Sequence, residues 1–528
     1  MNTRKTFLLL LLILIIAGFL RLYHITTVPP GLYPDEAMNG NNALQAIQTG
    51  NYKVFYPENN GREGLFMNIQ ALFLKFFGVN SPSQISSGET WEGKPWVLRL
   101  PSAIFGILTV LGTYFLGKEL FSVRVGLFSA FLLATSFWHI NFSHIGFRAI
   151  MAPFFLVWAI YFLLLALRKL KEFQNVLVPC LLSLVAGVFY GLGFYSYIAY
   201  RVTPILILFI ILFYWLKDKG VVIRKKILAT CLLFLVSSFI VALPLGIYFL
   251  QHPADFMGRT TQVSVFSSAS PMKDLAMNTV KTLGMFNFTG DWNWRHNYAG
   301  SQELFWPVGI LFILGVILGI YCLFKKSNAK AQMTNQVQNS NDKKFRFLDL
   351  GFDLKFGFGI LFLWFLLAML PVVISNEGIP HALRSILMIP PVIIFAGIGG
   401  ICLYDFLKKY ITSFWLPLAS ATFLAILFFQ GYYSYFIAWA NNLNVQGAFA
   451  EDYVALGRKL NSLPVSMPKY VVVQAGGVTV NGIPMPAQTV MFITNTYAPE
   501  SQGAKNLYYV LPNEEKNIPA GAEIFYVK

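Results

Sequence analysis

Residues 6–20 read TFLLLLLILIIAGFL, and residues 21–39 read RLYHITTVPPGLYPDEAMN. The first run is continuously apolar. The second carries an acidic pair, Asp35-Glu36, shortly after the apolar run ends. Carboxylates so close to a bilayer are either solvated filler or groups kept for chemistry at the membrane surface. Polar residues recur on the same face in later segments, which favours chemistry.

Composition sets the class. The chain has 528 residues, of which 56% are hydrophobic and 12% charged. Charged residues make up about 25% of an ordinary soluble domain, so this is an integral membrane protein. The 50 Phe, 25 Tyr and 11 Trp suit lipid-facing surface and interfacial belts. Cys180, Cys231, Cys322 and Cys402 all fall inside apolar runs. No disulfide framework and no Cys/His metal spacing is expected from them.

A bilayer core needs about 20 apolar residues per helix. Spans are predicted near 6–22, 97–117, 125–140, 150–167, 177–197, 201–216, 227–250, 305–324, 355–375, 384–404 and 411–434. The run 65–78, LFMNIQALFLKFFG, is too short and too polar to cross, and reads as an interfacial or re-entrant helix. Arg4 and Lys5 precede the first span as they would a signal peptide. No small-residue cleavage site follows, so the segment reads as a signal anchor.

Lysine and arginine set the orientation. With the N-terminus in the cytoplasm, the inner segments carry Arg4 and Lys5, then Lys118 and Arg124, then Arg168, Lys169 and Lys171. Next come Lys217, Lys219 and Arg224 to Lys226, the basic ends of 325–347, and Lys408 with Lys409. This bias explains much of the net charge of +16 and leaves no role for nucleic acid. The polar stretch 325–347 reads as a flexible cytoplasmic linker. The outer segments are 23–64, 139–149, 198–201, 251–304 and 375–385, and all six histidines lie in them or at their edges.

Hydropathy drops after residue 435. An amphipathic helix is expected at about 447–462, then strand-like runs at 470–476, 489–495, 506–512 and 522–528. The fold class is therefore an all-α polytopic membrane protein of about eleven transmembrane helices with a small extracytoplasmic α/β domain. The expected division is 1–440, a transmembrane domain whose first outer loop is 23–96, and 441–528, the C-terminal domain.

A first span, then the DE pair in the first outer loop, then RLPSAIFGILTVLGTYFLGKELF at 99–121, resembles the PMT-like glycosyltransferase family 39 of the GT-C superfamily. Protein O-mannosyltransferases and lipid A aminoarabinose transferases belong to it. The likeness is strongest over 21–170 and continues through SYIAYR (196–201), GDWNWRHN (290–297) and PHALRS (380–385). It implies a GT-C fold and an inverting glycosyltransferase at the extracytoplasmic face of the cell membrane. The implied donor is a polyprenyl-phosphate-linked sugar, and the acceptor a hydroxyl on a protein, lipid or glycan. The first 80-odd residues after 441 are not the β-trefoil found in eukaryotic protein mannosyltransferases.

Such a transfer needs a general base for the acceptor hydroxyl and cations for the departing phosphate. The resemblance puts Asp35 first as the catalytic acid, with Glu36 beside it, positioning the acceptor or neighbouring loops. The plainer reading makes Asp35 a helix N-cap after Pro34. Arginine suits phosphate because its planar fork matches the oxygens. Arg384 beside His381 is the first candidate, followed by Arg201 and Arg148; an arginine at a span boundary can also snorkel to headgroups. The resemblance places Arg62 and Glu63 at the start of a helix facing the site, where relatives often carry lysine and prolines. Asp291, Arg295 and His296, with Trp292 and Trp294, form either a sugar-stacking patch or an interfacial belt. His139 and His144 are five apart, too far in helical phase for an i, i+4 metal pair, so no metal and no cofactor are expected.

A flippase would carry charges near the bilayer midplane and inverted repeats, whereas these spans are nearly free of charge. A non-catalytic assembly subunit would not need the DE pair or PHALR. An oligosaccharyltransferase is a closer rival, but no WWDYG-like motif is present. The topology is testable by cysteine-accessibility labelling. Residues at 330–340 should label from the inside and residues at 510–520 from the outside; the reverse would overturn the site assignment.

Overall fold

The computed structural model describes residues 3–78, 94–172, 176–218, 220–256, 264–325, 351–412 and 414–528. Helices in chain order are α1 (Thr3–Leu22), α2 (Pro34–Thr49), α3 (Leu65–Phe76), α4 (Pro95–Leu120), α5 (Val123–Thr135), α6 (Phe137–His144), α7 (Met151–Glu172) and α8 (Leu177–Gly193). They continue with α9 (Pro204–Lys217), α10 (Val221–Gln251), α11 (Pro271–Gly284), α12 (Trp306–Phe324), α13 (Gly351–Val373), α14 (Ile389–Leu407) and α15 (Trp415–Tyr432). Among the described residues, nine helical segments are long and apolar enough to cross a membrane. The broken pair α5–α6, bent by 59°, makes a tenth. Helix α8 is apolar but has only 17 residues. Every expected span thus falls on a helix. The linker expected at 325–347 lies outside the described residues apart from Lys325.

The bend between α5 and α6 has a physical cause. Breaking a helix strands the carbonyls of its last turn. Arg21, fully buried at the end of α1, supplies the donors: its Nη1 reaches the Ala134 carbonyl at 3.0 Å and its Nη2 the Leu133 carbonyl at 3.0 Å. Nη2 also lies 2.7 Å from His139 Nδ1. The negative end of α5 offsets a guanidinium that has no carboxylate beside it among the described residues. Deeper in the bundle, α14 is the most enclosed of the spans among the described residues. There Gly315 of α12 sits on the Phe395 backbone and Gly399 of α14 on the Leu311 carbonyl, the close approach that small residues allow between membrane helices.

The short apolar helix α3 does not span. It buries Phe66, Met67, Gln70 and Leu74 against α2 and α4 while Leu72 and Phe76 stay exposed. A two-residue hairpin, β1 (Phe55–Tyr56) with β2 (Arg62–Glu63), precedes it.

Beyond α15 the helix continues as a π-turn, Tyr433–Trp439, and the amphipathic segment is two helices, α16 (Leu443–Ala448) and α17 (Glu451–Ser462), separated by Ala450 at φ 52°. Strands β3 (Lys469–Val473), β4 (Thr479–Val480), β5 (Ile483–Pro484), β6 (Leu507–Val510) and β7 (Glu523–Val527) follow, with α18 (Ala487–Thr494) and α19 (Pro499–Ala504) between β5 and β6. The run 489–495 expected as a strand is therefore α18, a helix buried on all sides. Buried helices and buried strands share one apolar pattern. The sheet decides between them: β6-β3-β7 is parallel, and a parallel pair needs a crossover, here a helix.

This segment is bolted to the first loop. Asn41 of α2 donates to the Gln488 side chain at 2.9 Å and to its carbonyl at 3.2 Å. Thr489 donates to the Leu32 carbonyl at 2.9 Å. Gly31, at φ 71°, lies against the Phe449 carbonyl, leaving no room for a β-carbon.

The first turn of α2 is set by one ion pair. Glu36 and Arg99 are 0% and 1% exposed, joined at 3.0 Å through Nε and 3.2 Å through Nη2. Arg99 also donates to the carbonyls of Pro29 at 2.7 Å and Gly31 at 2.8 Å. Glu36 in turn accepts from the Gly146 amide at 2.7 Å. Removing one partner from such a pair strands a buried charge at a cost of about 3–5 kcal/mol. Glu36→Gln and Arg99→Met should each lower the thermal unfolding midpoint in detergent markedly. A midpoint equal to wild type in Glu36→Gln would overturn this role.

Candidate active site

A cavity of about 480 Å³ opens where the first loop, the 147–149 turn, the 295 segment and the C-terminal residues meet. Its floor carries Asp35, Asn39, Asn59 and Arg62; one wall carries Arg148, Tyr197 and Arg295. Tyr453, Gly476, Gly477 and Met485 of the C-terminal segment also line it. Asp35 is the one carboxylate among the lining residues, and three guanidiniums, Arg62, Arg148 and Arg295, share the lining with it.

Asp35 sits in the first turn of α2, half-buried, because Pro34 starts the helix and the Glu36–Arg99 pair fixes its rotation. The N-cap is Tyr33, not Asp35, and the Tyr33 amide donates to Glu36 at 3.4 Å. Asp35 Oδ1 instead accepts from Asn59 Nδ2 at 2.5 Å. Adjacent residues on a helix point about 100° apart. One acid of the pair thus faces the cavity while Glu36 turns into the protein interior. Glu36 does not line the cavity; its place in the DE motif is to hold the loop.

Arg62 is buried and fixed by Asn39 and Asn42, each accepting at 2.6 Å. Burial and neighbouring Arg148 lower its pKa to about 10, while Asp35 acts to raise it. Arg148 gives its Nε to Glu63 at 2.8 Å, and Arg201 lies 3.9 Å from the other Glu63 oxygen. Glu63 is thus a buried strut between two arginines. Glu63 and Arg201 do not line the cavity, whereas Arg148 does; Arg201 stacks on Phe249 and Phe256 and donates to the Phe256 carbonyl at 3.1 Å.

Arg295, expected in a sugar-stacking patch or an interfacial belt, lines the cavity itself. Its guanidinium lies 3.9 Å from the centre of the Tyr33 ring, and its Nε is buried without a partner among the described residues. Burial and Asp35 push the Tyr33 phenol up to about 12, so it stays a neutral donor. The visible signal for Arg295 was an arginine in an outer segment beside two tryptophans. Those tryptophans do not line the cavity: Trp292 is exposed and Trp294 packs on Tyr298.

Arg384 stands elsewhere. Its Nη1 donates to Ser375 and, at 2.8 Å, to the Glu377 carbonyl; its Nη2 pairs with the Glu377 carboxylate at 3.1 Å. Its neighbour Leu383 reaches the cavity lining, whereas Arg384 does not. His381 belongs to another cluster. Asp291 Oδ2 lies 3.1 Å from His296 Nδ1 and 3.6 Å from His381 Nδ1, and it accepts from the Ala382 amide at 2.9 Å. One ligand atom from each of these residues lies within 4.8 Å of the others, a donor set that suits a metal ion where the sequence spacing suggested none. Burial lowers the His296 pKa, while the Asp291 carboxylate acts to raise it. The same three side chains also tie the 291–297 segment to the 375–385 loop.

A family model described as dolichyl-phosphate-mannose-protein mannosyltransferase matches residues 91–248. No curated protein matches the chain. Among solved structures, the oligosaccharyltransferase of Archaeoglobus fulgidus in its apo form aligns at 15% identity with a TM-score of 0.54, covering 98% of this chain. The chain spans 66% of the length of that protein. ArnT from Cupriavidus metallidurans bound to undecaprenyl phosphate aligns at 13% identity with a TM-score of 0.50, covering 96% of this chain and 90% of ArnT. The same archaeal enzyme in complex with an inhibitory peptide and a dolichol-phosphate gives 15% identity and 0.53, over 98% and 70% of the two chains. The chain has the fold of the GT-C glycosyltransferases. The family segment at 91–248 lies within this fold, and the long apolar helices mark a multi-pass membrane protein.

Proposed function

We propose that the protein is an inverting glycosyltransferase that moves a sugar from a polyprenyl-phosphate donor to an acceptor hydroxyl at the extracytoplasmic face of the cell membrane. The observation that carries this reading is the pairing of one half-buried carboxylate, Asp35, with three arginines in one cavity. Asp35 takes the acceptor hydroxyl proton as the oxygen attacks the anomeric carbon from the face opposite the phosphate. The bond from that carbon to the phosphate oxygen breaks, and the lipid phosphate leaves with the added negative charge. Arg148 and Arg295 receive that charge, since fixed guanidiniums stabilise a developing phosphate anion without reorganising. Asn59 orients the carboxylate. Glu36 and Glu63 are positioning residues: one holds the loop, the other aims Arg148.

The likeness to structures whose names include undecaprenyl phosphate and dolichol-phosphate supports a lipid-phosphate donor. The basic cytoplasmic loops support the extracytoplasmic face. In this reading residues 1–440 form the transferase domain, and 441–528 a separate domain that closes the cavity toward the acceptor.

Incubating purified protein with a panel of polyprenyl-phosphate sugars tests the activity. General-base assistance supplies about 10²–10⁴ in rate, so Asp35→Asn should lose that much turnover while donor binding survives. An active Asp35→Asn variant would sink the mechanism.

The donor side has its own test. A charge-assisted contact to phosphate contributes about 1.5–3 kcal/mol. Arg148→Ala and Arg295→Ala should each cut kcat/KM for donor by about ten- to a hundredfold, with lysine rescuing in part. Arg384→Ala should stay within about twofold of wild type. The opposite ranking would return the phosphate to Arg384.

A further inference from the structure

A second cleft, of about 280 Å³, lies away from Asp35 at the start of α12, between α5 and α15. Polar side chains face it from three elements: Thr135 and Ser136 at the α5–α6 break, Asn297 and Glu303 before α12, and Gln430 with Ser434 at the end of α15. Glu303 is the sole charged residue in its lining, and no Lys, Arg or His contributes. The Glu303 side chain is only 4% exposed. Its Oε1 accepts from the Asp291 amide at 3.1 Å, whereas its Oε2 is buried and meets no donor among the described residues. A buried carboxyl oxygen without a donor is costly, and a ligand N–H or O–H removes that cost.

The cleft continues into lipid territory. An uncharged apolar cleft of about 400 Å³ runs between α12, α14 and α15. The two share a seam by turn: Val308 and Leu427 line the polar cleft, and Leu311 and Leu424, one turn further on the same helices, line the apolar one. Helix α15 leaves room for it, being the least buried of the spans among the described residues. A molecule lying along the seam has a polar end at Glu303 and a hydrocarbon part beside Leu424, which is the anatomy of a membrane lipid.

We propose that this seam binds an aminophospholipid, its primary ammonium donating to Glu303 Oε2 and one acyl chain lying between α12 and α15. The absence of any cation in the lining turns away a headgroup that ends in an anion or depends on protein cations for its phosphate. A primary ammonium carries N–H donors for the unpartnered oxygen; a choline headgroup has no N–H to give. The site is separate from the Asp35 cavity and does not depend on the reaction proposed there.

Full-length protein stripped of lipid in detergent, then offered phosphatidylethanolamine, phosphatidylcholine or phosphatidylglycerol, tests this by native mass spectrometry. Phosphatidylethanolamine should be retained about tenfold more tightly than the other two. Glu303→Gln should remove that preference. Because Glu303 also holds the Asp291 amide, Leu427→Trp provides a second variant that fills the cleft and leaves Glu303 in place; it should remove the preference as well. Equal retention of the three lipids by wild type would overturn the proposal. So would a Leu427→Trp protein that keeps the preference, since the lipid would then lie elsewhere.

Discussion

The buried pair between Glu36 and Arg99 is the constraint from which the site's geometry follows. It ties the first loop to α4 and, through the Gly146 amide, to the turn after α6. Two charges taken out of water attract strongly, but they hold a structure only when their remaining donors and acceptors are satisfied. Here they are: Arg99 meets two backbone carbonyls as well as the carboxylate, and Glu36 meets two backbone amides as well as the guanidinium. The pair therefore works as a locating pin. It sets the rotation of α2, and that rotation puts Asp35 into the cavity.

A second layer of positioning surrounds the arginines. Arg62 is gripped by two asparagines of α2, Arg148 by Glu63, and Arg295 rests on the Tyr33 ring. Each guanidinium is held by a neighbouring side chain while it lines the cavity. Pre-set dipoles of this kind favour charge that appears during a reaction more than charge already present in the substrate.

Much of this was legible in the sequence. Span positions followed from length and apolarity, because a helix in lipid has few alternatives. The DE pair and RLPSA could be recognised as co-occurring motifs, but their partnership could not: Glu36 and Arg99 are 63 positions apart, and a salt bridge across that separation leaves no periodic trace. Arg384 looked like the phosphate ligand because its span-boundary position was visible, whereas the exposed Glu377 that takes its charge was only another loop acid. Arg295 had the converse problem, since its access to the cavity depends on how the 291–297 turn is wound. The strand expected at 489–495 failed for a different reason. In a segment buried on every side, hydrophobic periodicity disappears and only the parallel sheet around it reveals a crossover helix.

The bonds from Asn41 to Gln488 and from Thr489 to Leu32 join positions 447 and 457 residues apart. The first-loop side of the cavity is therefore synthesised well before its C-terminal side. A nascent chain can insert every span and still own only half a cavity. Whatever the cavity does must wait until translation has reached residues 476–486.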